Sequence, residues 1–160
     1  KPGFKPDFVF LTDDRIQQLI EYAPESIFEQ NVKNIFLVLI YTGMRYSDYA
    51  TLKASDIHDG HLDKVAKKTK TRFKIPIHEN IAEIVKSPPK MTGQVFNRGI
   101  KDLGEKLGWT ELIRFRKDIN EFVMMPFYDM LCSSVGRHTF ATRALLNGTP
   151  HNIIMGWCGW

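Results

Sequence analysis

The chain has 160 residues, of which 43% are hydrophobic, 25% charged and 12% aromatic, ordinary globular values that exclude disordered, collagen-like and low-complexity classes. The length suits one domain with a real core, and the longest apolar run, Ile35 to Tyr41, is far too short to cross a bilayer. Lys and Arg number 22 against 18 Asp and Glu, and the net charge of +4 leans only weakly toward polyanionic partners.

Residues 1–10, with Pro2, Gly3 and Pro6, read as an extended lead-in. Thr12 followed by Asp13 and Asp14 predicts a helix start, an N-cap oxygen with acids near the positive dipole end. This helix runs to about Tyr22 and buries Ile16, Leu19 and Ile20. Ser26 with Glu29 reads as a capping box for the next helix. That helix carries Phe28, Val32, Ile35, Phe36 and Leu39 on one face and stops at Gly43. Its periodicity is the strongest in the chain, which makes it the expected central core helix.

A short helix from about Tyr46 to Leu52 follows, then a polar loop through Ser55, Asp56, Asp59 and Gly60. His61 to Ala66 and Phe73 to Ile77 read as two strands, with a cationic hairpin tip over Lys67, Lys68, Thr69, Lys70, Thr71 and Arg72. Ile81 to Val85 is expected to be a helix ended by Pro88 and Pro89. Asn97 can cap another, with Ile100, Leu103 and Leu107 inward and Gly108 at its end. Residues 110–125 are the least readable, although alternation through Leu112, Ile113 and Phe115 permits a strand. Val135 to Leu146 reads as a helix closed by Asn147 and Gly148, and Thr149 with Pro150 as the N-cap and first position of the last one. No internal repeat or linker interrupts the pattern. The expected fold is therefore a single, mostly α domain with a small antiparallel β-sheet.

Cys132 and Cys158 cannot make a disulfide framework, and their apolar neighbours predict buried, reduced thiols in a reducing compartment. Neither has a second Cys or a His at ligand spacing, so a structural zinc site is not expected. No signal-like segment occurs, so a cytoplasmic setting is expected. The start at Lys1 and the end on Trp160 lead us to expect a piece of a longer protein.

The cations are uneven. Lys64, Lys67, Lys68, Lys70, Arg72 and Lys74 cluster around one hairpin, which could track a phosphate backbone or simply guard an exposed strand edge. Arg45, just after Gly43, could cap departing carbonyls or pair with Asp48. Arg137 lies in an otherwise small and apolar stretch and needs a partner or a bound anion. Two arginines and a basic hairpin together point to a phosphate site, because a guanidinium fork holds two phosphate oxygens at once.

At these residues a resemblance emerges. Thr42-Gly43-Met44-Arg45-Tyr46-Ser47-Asp48 resembles the first arginine motif of the tyrosine recombinases, the phage integrase family, whose form is Thr-Gly-x-Arg followed three residues on by an acid. Lys67 to Ile77, ending Lys74-Ile75-Pro76-Ile77, resembles the family's hairpin with its catalytic lysine. Val135-Gly136-Arg137-His138-Thr139-Phe140-Ala141-Thr142 resembles the second arginine motif, and Gly148, Pro150 and Gly159-Trp160 keep the spacing of the final Leu-Gly-His/Trp segment. The ordered set spans nearly the whole chain.

The resemblance implies a recombinase catalytic domain over residues 1–160, truncated before its nucleophile and lacking an N-terminal DNA-binding domain. It implies that Arg45 and Arg137 grip one scissile phosphate and that Lys68, or Lys70 if the hairpin length differs, protonates the departing 5′ oxygen. Asp48 would hold Arg45 or its neighbours, Trp160 would donate its indole N–H to the same phosphate, and His138 would help structurally. Lys67 and Arg72 would touch DNA. No metal or other cofactor is implied, and no clustered Asp/Glu set for a divalent cation occurs; Asp13 and Asp14 read as helix N-terminal charge. The implied partner is double-stranded DNA, with self-association on DNA in the full-length protein, in a phage or mobile-element setting.

Two departures from the pattern stand out. The family has His or Lys three residues before the second arginine, where this chain has Ser134, a candidate supporting residue whose hydroxyl can donate to a phosphate oxygen but cannot work as an imidazole near neutral pH. None of Tyr22, Tyr41, Tyr46, Tyr49 and Tyr128 stands at the place of the nucleophile, beyond the Gly-His/Trp segment. The expected activity is thus site-specific DNA recombination through a 3′-phosphotyrosine in the intact parent, with the phosphate-binding part retained here. The alternatives are a non-catalytic DNA-binding relative and a small helical domain whose basic loop is merely solvated.

Overall fold

The computed structural model describes residues 8–159. Helix α1 (Asp13–Glu21) begins where Thr12 accepts a hydrogen bond from the Arg15 amide, and buries Ile16 and Leu19. Ile20 stays half-buried. Helix α2 (Ile27–Thr42) starts at Ser26, whose hydroxyl accepts from the Glu29 amide at 3.1 Å. The expected capping box is only half made: the Glu29 carboxylate takes the Glu25 amide and the Tyr22 hydroxyl instead. Lys33 reaches from α2 to the Ile20 and Tyr22 carbonyls, each at 2.7 Å, and so satisfies the end of α1, which has no cation of its own in its last turn.

Helix α2 is the centre of the fold. Val32, Ile35, Phe36, Leu37, Val38, Leu39 and Ile40 are all buried, so its C-terminal half is enclosed on every side, while Phe28 at its start is exposed. Such all-round burial exceeds the single face that the periodicity predicts. Helix α4 (Gly93–Lys106) and helix α5 (Ser133–Leu146) both pack against it. The approach to α5 is close at Gly136, where a Cβ would come within 2.6 Å of the Leu39 Cβ.

Past α2, α3 (Tyr46–Tyr49) is a single turn, shorter than expected. A three-stranded antiparallel sheet follows in the order β1 (Ile57–His58), β2 (His61–Val65), β3 (Arg72–Pro76). Its first strand lies in the segment expected to be loop; two residues carry too little pattern to reveal it. Leu62, Phe73 and Ile75 point into the core. The expected helix over Ile81–Val85 is instead a pair of single 3-10 turns, Glu79–Ile81 and Ile84–Lys86, which bury Ile81 and Val85.

Helix α4 (Gly93–Lys106) starts five residues earlier than the Asn97 cap predicts, because Thr92 caps it by accepting from the Val95 amide. Asn97 sits inside the helix, where its Oδ1 accepts from the Ser133 amide at 2.9 Å. The unreadable stretch is a second hairpin, β4 (Leu112–Asp118) and β5 (Glu121–Pro126), with a bulge between Arg116 and Asp118. Both its faces carry apolar residues, which blurs the alternation that marks a strand. Helix α5 (Ser133–Leu146) and helix α6 (His151–Cys158) close the chain. Pro150, not Thr149, is the cap residue of α6, and no side chain caps that end. Both cysteines are free thiols as expected, but only Cys158 is buried; Cys132 is half-buried. No helix among the described residues is long and apolar enough to cross a membrane.

Candidate phosphate-binding site

The site grows from the way α2 ends. The Thr42 hydroxyl donates to the Val38 carbonyl at 2.6 Å and accepts from the Met44 amide, which brackets the turn. Gly43 takes the left-handed conformation at φ 66° and donates its amide to the Leu39 carbonyl. A Cβ there would lie 2.4 Å from Phe140 and 3.1 Å from the Cys158 sulfur, so space as well as backbone demands glycine. The chain then turns sharply and presents Arg45 as the residue that opens α3.

Arg137 comes from α5. Its guanidinium donates to the Gly43 carbonyl at 2.9 Å and to the Cys158 carbonyl at 3.1 Å. One side chain thereby ties the Gly43 turn to the last turn of α6. Burial pushes the Arg137 guanidinium down to about 10; neighbouring Arg45 pushes the same way and Asp48 opposes it. Burial pushes the Cys158 thiol up to about 11 although both arginines favour its ionised form. Arg45 and Arg137 are thus close enough to repel.

Arg45 differs in one respect. Its Nη1 is buried and has no hydrogen-bond partner among the described residues. The ion pair with Asp48 considered from the sequence does not form. Asp48 is itself buried and its Oδ1 accepts from the Lys67 amide at 2.7 Å, which fastens the root of the cationic hairpin to α3. A buried guanidinium nitrogen with no partner, beside a second guanidinium, is a poor resting arrangement unless an anion completes it.

The hairpin itself sorts its cations. Arg72 holds Asp63 through two bonds, at 2.7 and 2.6 Å, and Lys64 reaches Asp56 and the Thr51 carbonyl. Lys67, Lys68 and Lys70 at the tip are exposed, and Lys70 holds a left-handed φ of 57°. The tip is also bonded to the end of α6: the Thr69 hydroxyl donates to the Gly159 carbonyl at 3.1 Å.

The remaining predicted residues fall around this centre. Ser134 is exposed at the start of α5, its hydroxyl 3.0 Å from the Cys132 sulfur. His138 lies one turn on, with its ring 4.5 Å from that of Phe8 and its Nδ1 buried and unpartnered among the described residues. Burial lowers its pKa, and Arg137 adds to the effect. Trp160 lies outside the described residues. The Tyr46 and Tyr49 hydroxyls nearest to Arg45 in sequence donate to the Met91 and Pro89 carbonyls. Sequence reasoning missed the Gly43, Cys158 and Gly159 carbonyls, because backbone acceptors leave no signature, and it passed over Thr69 among the lysines.

The sequence profile of the phage integrase family matches residues 9–92, from before α1 through the first arginine, the hairpin and the 3-10 turns. The chain belongs to the phage integrase family. Solved structures extend the likeness over the other half. XerA recombinase superposes with a TM-score of 0.65 at 23% identity, covering 95% of this chain and 56% of its own. The XerH site-specific recombinase bound to its difH substrate gives 0.63 at 14% identity, with 94% and 47% covered. The lambda integrase catalytic core gives 0.64 at 16% identity, with 94% of each chain covered. The chain thus has the fold of tyrosine-recombinase catalytic cores and spans about half the length of the two larger recombinases. No curated protein sequence matches the chain.

Proposed function

We propose that this chain is the phosphate-gripping portion of a DNA strand-exchange domain, acting in its parent protein in site-specific recombination on double-stranded DNA. The observation that carries the reading is the buried Nη1 of Arg45, without a partner among the described residues, beside the Arg137 guanidinium. A buried guanidinium nitrogen left open among the described residues, beside a second guanidinium, suits a phosphodiester, whose two non-bridging oxygens can accept from both residues.

In the parent, a tyrosine oxygen attacks the phosphorus, the bond from phosphorus to the 5′ oxygen breaks, and a 3′-phosphotyrosine stores the linkage. Arg45 and Arg137 offset the charge that builds on the non-bridging oxygens. Lys68 gives a proton to the departing 5′ oxygen, with Lys70 as its substitute, and Trp160 adds an indole donor. Attack by the 5′ hydroxyl of another strand reverses the step. Lys67 contacts the backbone of the duplex, while Arg72 contributes through its hold on Asp63. Self-association on DNA, a cytoplasmic setting and a mobile-element role belong to the same reading of the parent.

The test is binding of the 160-residue chain to a short duplex, followed by fluorescence anisotropy at rising salt. We expect affinity to fall steeply with salt, and Arg45→Ala to weaken binding at least about tenfold, as loss of a charge-assisted bond worth roughly 1.5–3 kcal/mol requires. Equal binding by the Arg45→Ala chain would overturn the reading. A second reading rests on Ser134, a hydroxyl where the family has His or Lys. In it the parent binds DNA without cutting it, and a chain extended through its tyrosine would give no covalent protein–DNA adduct.

A further inference from the structure

The hydrogen bonds around the arginines close into a circuit. From the Gly43 carbonyl it runs to Arg137, from Arg137 to the Cys158 carbonyl, and one residue on from the Gly159 carbonyl to the Thr69 hydroxyl. Two residues back along the hairpin, the Lys67 amide returns it to Asp48, three residues after Arg45. Two successive carbonyls at the end of α6, which the helix itself leaves without partners, are therefore held by two different parts of the site. Gly159, left-handed at φ 64°, turns its own carbonyl away from the helix axis toward the hairpin.

We propose that Thr69 is a positioning residue for the hairpin lysine, latching the tip to the end of α6. The inference rests on the strand-exchange reading for its purpose but on geometry alone for its existence. Lys68 lies between the two anchored residues: Lys67 is tied by its amide to Asp48, and Thr69 by its hydroxyl to Gly159. Its backbone is thereby fixed relative to both arginines, whose elements the same circuit joins. Lys70 lies outside this clamp, with its amide bound only to the Ala66 carbonyl within the hairpin. The latch thus bears on the backbone at Lys68 from both sides. It also makes the state of the α6 end and the placement of Lys68 interdependent.

Amide exchange of the whole 160-residue chain without DNA, read on peptides covering residues 66–72, tests the latch. Thr69→Val removes the donor and keeps the shape; Thr69→Ser keeps the donor. Loss of one ordinary hydrogen bond predicts about fivefold faster exchange at the tip in the Val chain, with peptides from α2 unchanged and the Ser chain close to the parent. Affinity for a short duplex should fall a few-fold in the Val chain, with no charge lost and the salt dependence kept. Unchanged tip exchange in the Val chain, equal acceleration in Val and Ser chains, or acceleration that extends to α2 would each overturn the latch. If the parent chain binds no duplex, the strand-exchange reading falls, and the latch is still decided by exchange without DNA.

Discussion

Arg45 and Arg137 do opposite work in the resting molecule. Arg137 is bound to two backbone carbonyls and so belongs to the framework, whereas Arg45 keeps a buried nitrogen without a partner among the described residues. Asp48 lies near both and eases their repulsion. It lies 2% exposed, accepts from the Lys67 amide, and its charge favours the protonated form of Arg137. Asp48→Ala would leave the Lys67 amide unpaired and remove a negative charge beside the two arginines, and should cost about 2 kcal/mol of stability. Asp48→Asn keeps an acceptor of the same shape and should cost less than half of that. Urea melts of the two variants check the ordering, and an Asn variant as unstable as the Ala one would show that charge, not the hydrogen bond, is what Asp48 supplies.

At the scale of elements, the sequence is most legible where local chemistry and packing agree. Thr12 and Ser26 cap α1 and α2 as their positions imply, and Gly43 ends α2 in the left-handed turn that a Thr-Gly pair foreshadows. The order of arginines and hairpin was legible too, since their spacing is that of a known family. Asn97 offers the same capping chemistry as Thr92 five residues later, and the burial of Phe96, which a helix starting after Asn97 would leave outside, is what distinguishes them. The β4–β5 hairpin was obscured by Leu112, Phe122 and Met124 on its solvent side, which break the alternation of a half-buried strand. The circuit through Cys158 and Gly159 could not be read at all, being made of backbone carbonyls. Gly43 is the element-scale test. Gly43→Ala combines a left-handed alanine with a methyl placed against Phe140, and should cost about 3 kcal/mol, seen as a lowered urea midpoint at unchanged slope. A loss below about 1 kcal/mol would mean that α5 and α6 shift aside easily.

Over the whole molecule, the start of α5 is where distant parts of the chain meet. Phe8 before α1, Phe115 and Met125 from the β4–β5 hairpin, and Val135 and His138 line one cleft, and the Leu11 amide donates to the Thr139 hydroxyl in the buried layer beneath. His138 is the titratable group at this junction whose pKa is lowered, first by burial and then by Arg137. The fold therefore keeps it neutral below the ordinary histidine value of 6.5, while the unfolded chain takes up the proton at that value. More protons on the unfolded side mean that stability falls as pH drops through 6.5 toward the folded pKa. Carboxylates act lower down. Glu29 is held down by its bond to Lys106 and Asp63 by its bond to Arg72, so their contributions are lost only as pH falls below their ordinary values of 4.5 and 3.8. Melting temperatures measured between pH 7 and pH 5 should thus decline in the parent chain and stay nearly level in His138→Asn, which cannot titrate. Parallel declines in both chains would place the proton uptake elsewhere and leave His138 without a part in holding the N-terminal segment, the second hairpin and α5 together.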